Sequence, residues 1–277
     1  MTLVAVITIL GASTVLPSRF SKVSLLDAHA EGATEHYDTA LQPVQPNSLT
    51  ALELERSLKT AANDPVAMFQ VVRRASAHDQ LTVAFDTLNL LRQEQANNAV
   101  VQSAYCLTFN WIKGDFVLSN HKRILTNTDY DNYGKCLQQS DKLDSKLWLT
   151  YAVEGTDLVG IPDVEANNQG LSLLKKAVEL APGISITHFL LGRAYAVYDT
   201  KFQDFDKAAD ELHKATELKP VMFAPALSLL DLYCLRAPDK NKAIQAKITF
   251  LRTIPPGRKL SSDTTGLLNY CSKKFGQ

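Results

Sequence analysis

A block of this sequence returns 38 positions later with its apolar and small residues in register. Leu174, Ala177, Leu180 and Pro182 close one stretch; Leu212, Ala215, Leu218 and Pro220 close the next. Upstream of each lies another apolar segment. There Gly155 and Gly192 occupy matching places, followed three residues later by Leu158 and Tyr195, and a third unit carries Leu230 and Tyr233 at those two places. Self-similarity at a period of roughly 20–50 residues marks a stack of identical supersecondary units rather than one closed globule.

Within each unit the apolar residues fall three and four apart, the spacing that puts them on one side of a helix. The units therefore read as helix pairs. Gly192, Ala208 and Ala215 are small enough to let the two helices of a pair approach closely, and Leu191, Tyr195 and Leu212 fill the space between them. One pair cannot bury its second apolar face, so about three or more must stack. From Ser48 onward the pattern is helix after helix. Ser48 before Leu49, Leu52 and Leu54 has the form of a capped start, and Asn63-Asp64-Pro65 is a break that puts Pro at the next helix's first position. The last segment, Ser262 to Phe275, carries Leu267, Leu268 and Cys271 on one face and Lys273 and Lys274 beyond, which suits a terminal cap.

The unit running from Thr187-His188-Phe189-Leu190-Leu191-Gly192-Arg193-Ala194-Tyr195 through Ala208, Leu212, Ala215 and Pro220 resembles the tetratricopeptide repeat family. It has His188 where that family prefers Trp, and extra residues around Asp199 to Asp206. The resemblance is plainest over residues 148–256 and more divergent over 48–147. It implies an all-α fold, a right-handed superhelix (solenoid) of helix hairpins, closed by a C-terminal capping helix at residues 257–277. It also implies that the first helix of each unit lines a concave, partner-binding groove. Carried onto this sequence, that groove holds Ile186, Phe189, Arg193, Ala224, Leu227 and Asp231. Most are apolar, which suits an amphipathic helix or an extended apolar peptide. Two readings compete with it: these residues face neighbouring repeats or the N-terminal tether, and Arg193 and Asp231 simply pair with each other.

Charge and composition narrow the function classes. Lys and Arg number 29, and so do Asp and Glu. A neutral chain gives no basic footprint for nucleic acid, which needs clustered cations to neutralise phosphates. From Asp239 onward, however, eight basic residues face two acids, a local bias suited to an acidic partner or to a solvated end.

The first 18 residues are uncharged, and Leu3–Leu16 is nearly continuous apolar sequence. That length suits a signal-peptide core or a short anchor better than a spanning helix. Ala28-His29-Ala30 offers a cleavage site, although no basic residue precedes the apolar run. Residues 1–30 are therefore expected to be a signal peptide or short anchor and 31–47 a flexible tether, with membrane contact through this segment only. The alternative is a buried N-terminal helix. Cys106, Cys136, Cys234 and Cys271 include no C-x-x-C pair, so neither a zinc ribbon nor a thioredoxin motif is available. Buried free thiols are the plain expectation; disulfides become reasonable only if the chain is exported.

Catalytic signatures are missing. Asp129-Tyr130-Asp131-Asn132-Tyr133-Gly134 begins like a calcium loop, but Tyr133 and Ser140 stand where oxygen ligands belong, so a turn is expected. Gly134-Lys135 lacks the rest of a P-loop, and the histidines show no metal-ligand spacing. No catalytic residue, cofactor or metal is expected. The expected function is a noncatalytic scaffold for a protein or peptide partner, exported or envelope-associated. A structural subunit of an envelope assembly is the second reading; a helical-solenoid ligand-binding domain or enzyme is the third.

Overall fold

The computed structural model describes residues 50–77, 80–118, 127–159, 163–196, 203–219, 222–254, 260 and 262–276. The expected leader and tether, residues 1–30 and 31–47, lie outside them, as do Ser48, Pro220 and Pro255-Pro256.

The chain opens with α1 (Ala51–Thr60) and a 3-10 turn at Ala61–Asn63. The cap is Thr50, two residues beyond the expected Ser48. Its Oγ1 accepts from the Glu53 amide at 3.2 Å, and its own amide donates to Glu53 Oε2 at 2.7 Å. This reciprocal pair satisfies two donors that a helix start leaves open. α2 (Pro65–Ala77) starts at the expected break, where Asp64 Oδ1 accepts from the amides of Val66 and Ala67. α3 (Leu81–Glu94) and α4 (Ala99–Leu118) follow. Asn98 joins the cap of α4 to the earlier chain: its Oδ1 accepts from the Val100 amide at 3.0 Å, and its Nδ2 donates to the Ala62 carbonyl at 3.0 Å.

α5 (Asn127–Leu143) takes in the whole acidic stretch from Asp129 to Gly134. The expected turn there is a helix instead, because Cys136 and Ser140 supply a buried face that continues the periodicity. Then come α6 (Trp148–Leu158) with α7 (Val164–Leu180), α8 (Ser185–Ala196) with α9 (Phe205–Glu217), and α10 (Phe223–Asp231) with α11 (Lys240–Thr253). α10 runs on into a π-helical turn, Leu232–Arg236. An aspartate side chain caps the second helix of each of these pairs: Asp163, Asp204 and Asp239. α12 (Ser262–Phe275) is the expected capping helix, with Leu267 and Cys271 buried and Leu268 half-buried.

Packing follows the repeat. α6 packs chiefly on α7, α8 on α9 and α10 on α11, while α2, α4, α6 and α8 each also touch the next first helix in the series, and the π turn after α10 touches α12. The early part departs from this scheme: α3 packs more on α4 and α1 than on α2. Buried side chains form one continuous core from Leu54 to Cys271. Where α4, α5 and α6 meet, Ser103, Ser140 and Thr150 close a buried ring of hydroxyls at 2.6, 2.7 and 2.9 Å. Each hydroxyl can donate to one neighbour and accept from another, so the polar atoms are satisfied without water.

Candidate functional site

Four of the six groove residues lie inside the protein. Ile186 and Ala224 are fully buried, Phe189 is 1% exposed and Leu227 4%. The expectation of an open groove at these positions is therefore corrected: in this structure they are core. Part of what covers Phe189 is α2. Its Phe69 meets Trp148, the first residue of α6, at 6.4 Å between ring centroids, and its Arg73 lays a guanidinium over the Phe189 ring at 5.4 Å. Arg193 is half-buried with its guanidinium 5.7 Å from the same ring. Asp231 accepts from Arg236 Nε at 2.6 Å, and Arg236 also donates through Nη1 to the Ala196 carbonyl at 2.7 Å. That arrangement clamps the end of α8 to the π turn after α10.

What holds these first helices in place is close approach within each hairpin. A Cβ added to Gly192 would lie 2.9 Å from Leu212 Cγ, 3.1 Å from the Leu212 amide nitrogen and 3.2 Å from the Ala208 carbonyl oxygen. Gly155 repeats the arrangement one unit earlier, 2.8 Å from Leu174 Cγ and 2.9 Å from the Gly170 carbonyl oxygen. The same two repeat positions bring two hairpins to the same near-contact of backbones. The hairpin architecture is tetratricopeptide-like. No family model matches the chain, and no curated protein matches it. Among solved structures it is similar to a thermophilic TPR protein of Thermus thermophilus, at 13% identity over 83% of this chain and 96% of that one, with a TM-score of 0.44. It is also similar to a double mutant of MamA, at 16% identity over 68% of this chain and 93% of that one, with a TM-score of 0.41. At these scores the likeness adds nothing to the hairpin geometry, which stands on its own.

His188, where the tetratricopeptide pattern prefers Trp, ties its hairpin together through polar contacts. Its Nδ1 lies 2.5 Å from Glu211 Oε2 on α9 and its Nε2 2.9 Å from the Pro182 carbonyl. Burial pushes the Glu211 carboxyl up, but hydrogen bonds from Lys214 and His188 outweigh it and leave the group below its ordinary value. This is a structural bridge between the two helices of the hairpin. A second polar cluster surrounds Glu154 on α6, where burial lifts the carboxyl above its ordinary range and Asp141 and Asp157 lift it further. Tyr151 donates to Asp141 at 2.6 Å and Tyr133 to Asp157 at 3.0 Å. Among the described residues no group of three or more His, Cys, Asp or Glu side chains is arranged to hold a metal ion. Nor is any helix among them long and apolar enough to cross a membrane.

The cysteines pair. Cys106 of α4 is joined to Cys136 of α5, and Cys234 of the π turn to Cys271 of α12. Sequence reasoning favoured free thiols, because no short spacing signals either bridge. The relevant signal was positional: each pair sits on neighbouring helices. Gly170 was also missed, although it falls 38 positions before Ala208, the small residue already assigned to that place.

Proposed function

We propose that the chain is a noncatalytic scaffold that binds another protein, and that it works outside the cytoplasm, exported or attached to the envelope. The observation that carries the compartment is the pairing of all four cysteines into two bridges between helices. Such bridges persist where the surroundings are oxidising and are rare in reducing compartments. The uncharged apolar run at Leu3–Leu16, with Ala28-His29-Ala30 after it, supports the same reading from sequence. The scaffold role is favoured by the architecture, since stacked hairpins present long continuous surfaces. Fold alone does not fix function, so the role needs its own test.

Two measurements on protein taken from its own cells test the proposal. Intact mass and thiol labelling should give a chain shortened near residue 30 with no reactive thiol. A chain retaining Met1 and four labelled cysteines would contradict the compartment. A pull-down with the chain from Glu31 should retain a protein at a fixed stoichiometry; failure to retain any would contradict the scaffold role.

A further inference from the structure

α12 caps the stack, yet part of the last hairpin stays apolar and exposed beside it. A last repeat stays soluble by turning a polar face outward. Here α11 carries half-buried Ile244 with exposed Ile248 and Leu251, spaced i, i+4 and i+7, so they form one stripe along the helix. Ile248 is 37% exposed and Leu251 47%, and Tyr270 of the neighbouring α12 is 47% exposed. The opposite side of α11 holds Ala243, Ala246 and Phe250 in the core, which fixes the stripe toward solvent. α12 covers the seam beside it without covering the stripe: Lys247 Nζ donates to Ser272 Oγ at 2.8 Å, and Cys234–Cys271 pins α12 in place.

The charges around the stripe share one sign. Helical spacing sets Lys240 and Lys247 along one edge and Arg252 along the other, and α11 contains no acid. No carboxylate among the described residues pairs with these three cations.

We infer that the α11 stripe is a docking surface for an amphipathic helix of another protein whose apolar ridge is flanked by Asp or Glu. It rests on the scaffold reading and names the surface and the partner's chemistry. A helix with apolar residues at i, i+3, i+4 and i+7 matches the length and spacing of Ile244–Leu251 and would lie along α11 beside α12. Flanking carboxylates would meet exposed Lys240 on one edge and exposed Arg252 on the other, which speeds encounter and rejects basic helices.

The test uses the full chain and two synthetic amphipathic helices with the same leucine ridge, one flanked by Glu and one by Lys. The Glu-flanked helix should bind, and more weakly as salt rises, while the Lys-flanked helix should not. Leu251→Glu should weaken the Glu-flanked helix about tenfold or more, as loss of a central anchor does. Should Leu251→Glu melt early, Arg252→Glu on the exposed edge carries the same readout and should also gain the Lys-flanked helix. Equal binding of the two helices, or indifference to both substitutions, would overturn the inference. So would binding to phosphatidylglycerol vesicles with no binding to either helix, which would make the stripe a lipid contact. Self-association abolished by Leu251→Glu would make it an interface between copies and equally overturn it. A partner retained in the pull-down regardless of both substitutions would overturn this surface while leaving the scaffold role standing.

Discussion

Arg73 of α2 places its guanidinium 5.4 Å from the centre of the Phe189 ring on α8, and both side chains are buried. The contact joins the second helix of the described chain to the eighth. It means that the face of α8 carrying Phe189 is packed by the chain's own early part. A cation over an aromatic face contributes about 2 kcal/mol when both are desolvated. A double-mutant cycle with Arg73→Met and Phe189→Leu, read by urea unfolding, should therefore give a coupling of about 0.5–2 kcal/mol. Strictly additive effects would mean that the two residues do not meet.

Gly192→Leu should destabilise the protein by about 1–3 kcal/mol, the usual cost of overpacking. The added Cβ would press on the Leu212 amide and the Ala208 carbonyl as well as on a side chain, and backbone does not rotate out of the way. Thermal unfolding checks this; a midpoint within a degree of the parent's would contradict the close approach of α8 and α9.

Reduction should loosen the protein at both bridges. Cys106–Cys136 and Cys234–Cys271 close loops of 30 and 37 residues. In the chain-entropy account, loops of that size contribute roughly 3–4 kcal/mol each. Melting with and without a dithiol reductant measures the sum. Paired Cys→Ser substitutions separate the two bridges, and loss of Cys234–Cys271 should free α12 first, because α12 packs mainly on the last hairpin.

Glu154 gives a pH dependence of definite sign. Its folded carboxyl is raised above the ordinary value by burial first and then by Asp141 and Asp157. The folded state therefore binds its proton more tightly than the unfolded chain does. That contribution to stability is complete below the unfolded value of 4.5 and is lost as pH rises through the folded one. Glu154→Gln should be more stable than the parent at pH 7, with the gap closing toward pH 4. Urea unfolding at several pH values checks this, and a gap independent of pH would contradict it.

The helices and their pairing were legible because they rest on local rules. The 38-residue return, the small residues at 192, 208 and 215, and the period of Ser262–Phe275 each report on contacts within a hairpin or between neighbours. The candidate groove was not legible for the opposite reason. Whether Phe189 faces solvent or core depends on where α2 lies, and no periodicity in α8 encodes the position of a helix more than a hundred residues away. α8 buries ten of its twelve residues, and the sequence trace of that is apolar residues all round the helix instead of on one stripe. The cysteine pairs escaped for a related reason: partners 30 and 37 positions apart become neighbours only once the helices are stacked.

The central claim is that the face carrying Phe189 and Leu227 is core filled from within, not an open groove. Phe189→Glu together with Leu227→Glu tests it most directly, read by circular dichroism and thermal melting. Only the carboxylate at 189 would lie near cations, Arg73 and Arg193, and the one at 227 would be buried away from water, so the double variant should lose its cooperative transition and much of its helicity. A variant that keeps the parent's helicity and melting midpoint would contradict the account and return those residues to an exposed groove.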